Sequence, residues 1–196
     1  MIQIGLLRHG EVEGGNCFRG HTDDPLTAIG LNQMHAATRD NQRWDRVISS
    51  PLARCAAFAG EYAGRHSIPQ TFDARLMEMN FGAWEGRCAA DLMETDTDAL
   101  TLFWENPMEN TPPGGEPLAL FQARVLDAWH DIVMAHEGRR ILVVTHGGVI
   151  RALLCHVLDQ PLAQLQSFEV NHGGLYRVQA GDAGKILSTC DAIRRI

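Results

Sequence analysis

The chain has 196 residues, 45% of them hydrophobic and 21% charged, with a formal net charge of -7. That length suits one domain with its own core, and that composition argues against a disordered or fibrous chain. The negative charge argues against a general affinity for nucleic acid or anionic membrane, so any attraction for an anion must be local.

The apolar run Ile2 to Leu7 predicts a buried strand that ends on the cationic pair Arg8 and His9. A helix is expected from Thr27 to about Gln42, with Thr27 as cap and Leu31, Met34 and Ala37 on one face. "DRVISS" supplies a second strand. "SPLARCAAFAGEYAG" then reads as a helix with Ser50 as cap, Pro51 at the first helical position, and Leu52, Cys55, Ala59 and Tyr62 at helical spacing. From Gln70 to Pro117 the pattern weakens and Pro and Gly gather in "ENPMENTPPGGEP", which predicts an irregular or partly helical, lid-like insertion around 74–117. Pro117 to Glu137 reads as a long amphipathic helix burying Leu118, Phe121, Val125, Trp129 and Ile132. "RRILVVTH" is another buried strand and "GGVIRALLCHVL" another helix, and the tail "SFEVNHGGLYRVQAGDAGKILSTCD" predicts antiparallel strands at a sheet edge. The sum is a single α/β domain spanning 1–196.

Cys17, Cys55, Cys88, Cys155 and Cys190 are widely spaced and contain no C-x-x-C pair, which suggests neither a disulfide framework nor a cysteine zinc site. A reducing compartment fits them. No apolar run approaches the roughly 20 residues of a membrane helix, and the N-terminus lacks a signal-peptide pattern, so a cytoplasmic protein without a membrane partner is expected.

Two strands end alike, in "LLRHGE" and "VVTHGG". In an open α/β sheet, ligands collect beyond the carboxyl ends of parallel strands, where helix N-termini present free N–H groups to an anion. Arg8, His9 and His146 sit at such ends, and Gly10, Gly147 and Gly148 permit close backbone approach. A metal would need Glu11 or Glu13 as further ligands, and Arg8 opposes a divalent cation electrostatically. Arg54 in "SSPLAR" lies one turn into the helix after the second strand and adds a planar fork of donors suited to phosphate oxygens. A lone histidine in such a place is usually a strand cap, and a lone helix arginine is usually solvated. Together, these groups suit a phosphoryl group better than a carboxylate.

The ordered set "LLRHGE", "SSPLAR", "LMEMNFGAWEG" and "VVTHGG" resembles the histidine phosphatase superfamily, also called phosphoglycerate-mutase-like, over roughly Ile4 to Leu158. The resemblance implies a three-layer α/β/α sandwich with a mixed, mostly parallel sheet and an antiparallel edge. It further implies phosphoryl transfer through a phosphohistidine, with no cofactor and no metal. Carried over by position, His9 is the nucleophile, Glu78 the proton donor, and Arg8, Arg54 and His146 hold the phosphate. Gly147 joins the phosphate-binding set. Asn16 does so with a departure, since it stands one position later than the family's asparagine, and Val12 replaces the family's usual threonine.

"FRGHTDDPLT", "FGAWEG" and "ENPMENTPPGGEP" look most like the alpha-ribazole phosphatase branch, which implies a small-molecule phosphate ester, alpha-ribazole 5′-phosphate, and a place in assembly of the cobalamin nucleotide loop. The alternatives are a broad-specificity phosphatase on sugar or other small esters, a phosphoglycerate-type mutase, and a catalytically silent phosphate-binding scaffold. Phe81, Trp84, Phe103 and Trp104 are candidates to stack on a planar base, although packing is the default for aromatics. Gly20 reads as a turn glycine and Arg151 as a solvated helix arginine. His172 and the other scattered histidines are assigned no role, and the sequence leaves oligomeric state open.

Overall fold

The computed structural model describes residues 1–39 and 43–181, together with the backbone of Ile186–Cys190. Its elements run β1 (Ile2–Arg8), α1 (Ala28–Ala37), β2 (Arg46–Ser49), α2 (Ala53–His66), β3 (Gln70–Phe72), α3 (Ala89–Thr95), α4 (Thr97–Glu105), α5 (Leu118–Ala135), β4 (Arg140–Thr145), α6 (Gly147–Val157), β5 (Leu175–Ala180) and β6 (Ile186–Cys190).

The central strands are apolar on both faces, and that dictates the layering. Ile2, Ile4 and Leu6 of β1, Ile48 of β2, and Ile141 and Val143 of β4 point into one core with Phe121, Val125 and Trp129 of α5 and Ile150 and Leu153 of α6. The alternate residues Leu7, Val47, Leu142 and Val144 point the other way, onto Met34 of α1 and Phe58, Ala59 and Tyr62 of α2. Two helical layers therefore sandwich one sheet. Its order is β3-β2-β4-β1-β5-β6. The first four strands are parallel, while β5 and β6 run antiparallel at one edge. The expected α/β/α architecture is the one observed.

Register positions the site. Arg8 of β1 pairs with Thr145 of β4, and Ser49 of β2 pairs with Val144, so three strands release the chain at one level, at His9, Ser50 and His146. The His9 N–H still donates to the Thr145 carbonyl at 2.9 Å, so the chain turns only after the imidazole has been placed. The turn needs glycine. A Cβ on Gly10 would lie 2.0 Å from the Gly30 carbonyl oxygen, because the loop after β1 packs backbone to backbone on α1.

Several boundaries differ from expectation. The first helix ends at Ala37, where the Thr38 amide and hydroxyl bond back to the last turn; its expected continuation to Gln42 runs into residues 40–42, outside the described residues. The second helix starts at Ala53, not Pro51, because its first helical bond is accepted by the Leu52 carbonyl, from the Ala56 N–H at 2.9 Å. The Ser50 hydroxyl oxygen accepts from the Leu52 N–H at 3.3 Å and meets His146 Nε2 at 2.8 Å. Strand β3 stands where the irregular stretch was expected to begin, and the excursion beyond it contains α3, α4 and two 3-10 turns. Its Trp84, Leu92, Leu100 and Phe103 enter the same core as α5 and α6. The side chain of Cys190 lies outside the described residues. Among the described residues, no helix is long and apolar enough to cross a membrane.

Candidate active site

His9 ends β1 with 6% of its surface exposed. Its Nδ1 lies 2.8 Å from the Gly10 carbonyl oxygen, which can only accept, so Nδ1 carries the proton and Nε2 keeps its lone pair. Burial, then the charges of Arg8 and Arg54, hold this imidazole well below the ordinary histidine pKa of 6.5. His9 is therefore a neutral base with a free nitrogen at pH 7.

Arg8 approaches from the other side of the same strand end. Its Nη1 donates to the Val170 carbonyl at 2.7 Å and its Nη2 to His172 Nε2 at 2.9 Å, while its buried Nε has no hydrogen-bond partner among the described residues. Burial pulls the Arg8 pKa to about 10, which leaves it charged. Because guanidinium only donates, His172 accepts and is neutral; desolvation and the Arg8 charge take it down to about 4. The His172 ring stands 5.5 Å from that of His9. Sequence reading gave this residue no role. Its neighbourhood comes from the pairing of β5 with β1, through which the Arg8 N–H donates to the Gly174 carbonyl at 3.0 Å.

Arg54 and His146 form the layer beneath, both 0% exposed. Arg54 Nε donates to His146 Nδ1 at 3.2 Å, which leaves the proton of the neutral ring on Nε2, 2.8 Å from the Ser50 hydroxyl. Burial first, then Arg54, keeps His146 well below 6.5. The other Arg54 nitrogens donate to the Thr22 and Gly20 carbonyls at 2.8 and 2.7 Å. The His9 and His146 rings meet edge to face at 5.2 Å. Arg8, His9, Asn16 and Glu78 line a cleft of about 530 Å³, whereas Arg54, His146 and Gly147 do not. Asn16 sits exposed on its rim.

The carbonyl cradle of Arg54 is itself held by Glu85, which sequence reading did not single out. Its carboxylate accepts from the amides of Gly20, His21, Thr22 and Phe81 and from the Thr22 hydroxyl. Burial alone would raise its pKa, but these donors, the Thr22 hydroxyl foremost, hold it below the ordinary glutamate value. Gly20 thus spends its N–H on Glu85, and a Cβ there would lie 1.9 Å from the Met79 carbonyl oxygen.

Glu78 is 9% exposed. Its Oε2 accepts from the Gly148 N–H at 2.9 Å, in the first turn of α6, and its Oε1 from the Met79 N–H at 3.0 Å. A second unforeseen residue fixes the segment: Arg124 of α5 donates to the carbonyls of Arg75, Met77 and Glu78 at 2.7–3.0 Å and grips both oxygens of Glu116 at 2.7 and 2.8 Å. Arg151 is not a free surface arginine. Its Nε donates to the Phe168 carbonyl at 3.0 Å, and its Nη1 would lie 3.3 Å from a Cβ on Gly147.

Trp84 and Phe103 are buried in the core, but Phe81 packs edge to face on Phe18 at 5.1 Å in the cleft wall. Phe18, Glu78 and Phe81 also border an adjoining cavity of about 120 Å³ that includes Trp104. A larger cavity of about 840 Å³ contains none of these groups. Its His35, Arg65 and His66 belong to the last turns of α1 and α2, where the Arg65 charge complements the dipole of α2.

The chain resembles known proteins over most of its length. A family model described as "Histidine phosphatase superfamily (branch 1)" matches residues 4–192. The chain is 32% identical over 183 residues to an adenosylcobalamin/alpha-ribazole phosphatase of Salmonella typhimurium, covering 88% of this chain and 87% of that one. It is 28% identical over 172 residues to phosphoserine phosphatase 1 of Hydrogenobacter thermophilus, covering 86% and 82%. The crystal structure of an alpha-ribazole phosphatase from Shigella flexneri superposes with a TM-score of 0.84 at 27% identity, covering 97% of this chain and 96% of that one.

Two outcomes follow from the site. Replacing Arg124 by Met removes charged donors from three carbonyls and leaves Glu116 without its partner, at a cost of about 2 kcal/mol. Urea denaturation should show a lower midpoint, and an unchanged midpoint would contradict the role given to this residue. The second concerns pH. His9 and His146 are held neutral in the fold but take up protons below about 6.5 once unfolded, so the unfolded state binds more protons and stability falls as pH drops below 6.5. The urea midpoint should be lower at pH 5 than at pH 7.5, and the drop should shrink when His146 is replaced by Gln; an equal drop in that variant would refute the assignment.

Proposed function

From the membership of this chain in the histidine phosphatase superfamily, as a phosphoric monoester hydrolase, we infer a reaction through a phosphohistidine on His9, with no metal, and alpha-ribazole 5′-phosphate as substrate. The observation that carries the mechanism is the His9 Nδ1–Gly10 carbonyl contact at 2.8 Å, which leaves Nε2 unprotonated. That nitrogen attacks phosphorus in line, forming the P–N bond as the ester P–O bond breaks. Glu78 gives its proton to the departing oxygen. As a carboxylate it then takes a proton from water, whose oxygen attacks phosphorus and breaks the P–N bond, returning neutral His9 and inorganic phosphate.

Charge on the transferring oxygens is met by Arg8, whose buried Nε has no other partner among the described residues, and by Arg54 from beneath. His146 orients both Arg54 and the ring of His9, while Asn16 on the rim completes the donor set and the Gly147 amide, at the start of α6 behind the cleft lining, adds the field of the helix N-terminus. The substrate assignment rests on the Phe18–Phe81 wall and the adjoining cavity beside Glu78, which suit a planar, largely apolar leaving group. The likeness to a phosphoserine phosphatase supports a second reading, a phosphatase of broader range on small esters.

EDTA-treated protein should hydrolyse alpha-ribazole 5′-phosphate with kcat/KM at least about tenfold above that for phosphoserine, 3-phosphoglycerate and an aryl phosphate. Turnover of the aryl ester alone would overturn the substrate assignment. His9→Ala should abolish turnover, and near-normal rates in that variant, or a rate that needs added metal, would overturn the mechanism.

A further inference from the structure

Two cysteines that the proposed reaction does not use lie on neighbouring backbone segments beside the cleft. Cys17 lines the cleft wall, Cys88 precedes α3, and both are free and half-buried. Cys55 and Cys155, by contrast, are fully buried. The backbones around the first two are paired. The Phe18 N–H donates to the Arg87 carbonyl at 2.8 Å and the Gly86 N–H donates to the Phe18 carbonyl at 2.8 Å. This is antiparallel pairing in which Gly86 and Arg87 together oppose Phe18, as in a β-bulge. One residue further along, Cys17 therefore stands opposite Cys88.

The geometry of such a position is restrictive. Neighbours of a hydrogen-bonded antiparallel pair that exchange no bonds themselves have Cα atoms about 4.5 Å apart. A disulfide joins Cα atoms roughly 4.4–6.8 Å apart, so linking these two requires no large backbone displacement. Cys17 Sγ lies 3.5 Å from the Gly14 carbonyl oxygen, and Cys88 forms a capping box with Asp91, whose side chain also lies 3.4 Å from the Cys88 N–H. A disulfide between them requires both side chains to turn out of these contacts.

We propose that Cys17 and Cys88 form a reversible disulfide that clamps the cleft wall to the segment after Trp84. The oxidant is a small-molecule disulfide of the glutathione class. One cysteine thiolate attacks it and releases one glutathione thiol; the second cysteine thiolate then attacks the protein-bound sulfur and releases the other. Two protein thiols become one disulfide, and one glutathione disulfide becomes two thiols, which carry away both protons. The clamp acts on a working part of the cleft. Phe18 follows Cys17 directly and forms the wall with Phe81, and the carbonyls of Gly20 and Thr22 cradle Arg54. The effect on catalysis rests on the proposed phosphatase reaction, whereas the cross-link does not.

The test uses the full chain, incubated with excess glutathione disulfide, alkylated and digested without reductant. Mass spectrometry should find a peptide pair joined through Cys17 and Cys88 that disappears after dithiothreitol treatment. The kcat/KM of the oxidised protein toward an aryl phosphate should fall at least about threefold and recover on reduction. Cys88→Ser, which keeps a good helix cap, should neither cross-link nor lose activity. Separate glutathione adducts on the two cysteines, with no link between them, would overturn the disulfide; a link that leaves kcat/KM unchanged, or an equal loss in Cys88→Ser, would overturn the clamp. A reduced protein without any turnover would instead refute the phosphatase reading, and the peptide map would still decide the cross-link.

Discussion

Two guanidinium groups, buried beside two neutral imidazoles and solvated by main-chain carbonyls instead of carboxylates, are the constraint around which the rest of the molecule is arranged. Arg8 donates to Val170 and His172, and Arg54 to Gly20, Thr22 and His146. Carbonyls satisfy donors without cancelling charge, so the site stays positive in a chain whose net charge is -7. Desolvation of this kind is costly unless an anion completes it. Burial first, and then the same field, depresses His9 and His146, and that keeps the imidazole beside an incoming phosphate uncharged and nucleophilic.

The sheet makes this arrangement affordable. Because β1, β2 and β4 are parallel and in register, their carboxyl ends stop together, and the groups that follow them meet without long connections. The antiparallel edge contributes from the other side, where β5 returns beside β1 and delivers His172 and the carbonyl of Val170 to Arg8. Two carboxylates then work as braces. Glu85 gathers the backbone of residues 20–22 around Arg54, and Glu116 holds Arg124 against the carbonyls of the segment that presents Glu78.

Much of this was legible in the sequence because periodicity is local. The stripe Leu118, Phe121, Val125, Trp129 and Ile132 repeats at helical spacing and is buried throughout. The apolar runs of β1 and β4 are long enough to announce strands buried on both faces, and their shared ending announced the meeting of His9 and His146. The three residues of β3 are too few to show a period, and α3 and α4 are short helices within an excursion read as irregular or partly helical. Ser50 looked like a cap because capping residues are recognised one segment at a time, whereas its hydroxyl answers to His146, 96 positions away. Arg124, Glu85, Arg151 and His172 were missed for the same reason. Each acts through a partner distant in sequence, and nothing in its own neighbourhood separates it from a solvated side chain.

The depth of the site is what the sequence could least convey. Arg54 and His146 are fully buried behind Arg8 and His9, a depth that no local pattern announces. The central claim is that His9 presents a free, uncharged Nε2 to an anion gathered by this buried charge. Long-range nitrogen–proton NMR of the histidine rings at pH 7, followed through a titration with orthovanadate, tests it most directly. The Nδ1-protonated neutral tautomer of His9, with its Nε2 resonance moving as vanadate binds, is the predicted result; an Nε2-protonated or cationic ring, or a His9 signal indifferent to vanadate, would contradict it.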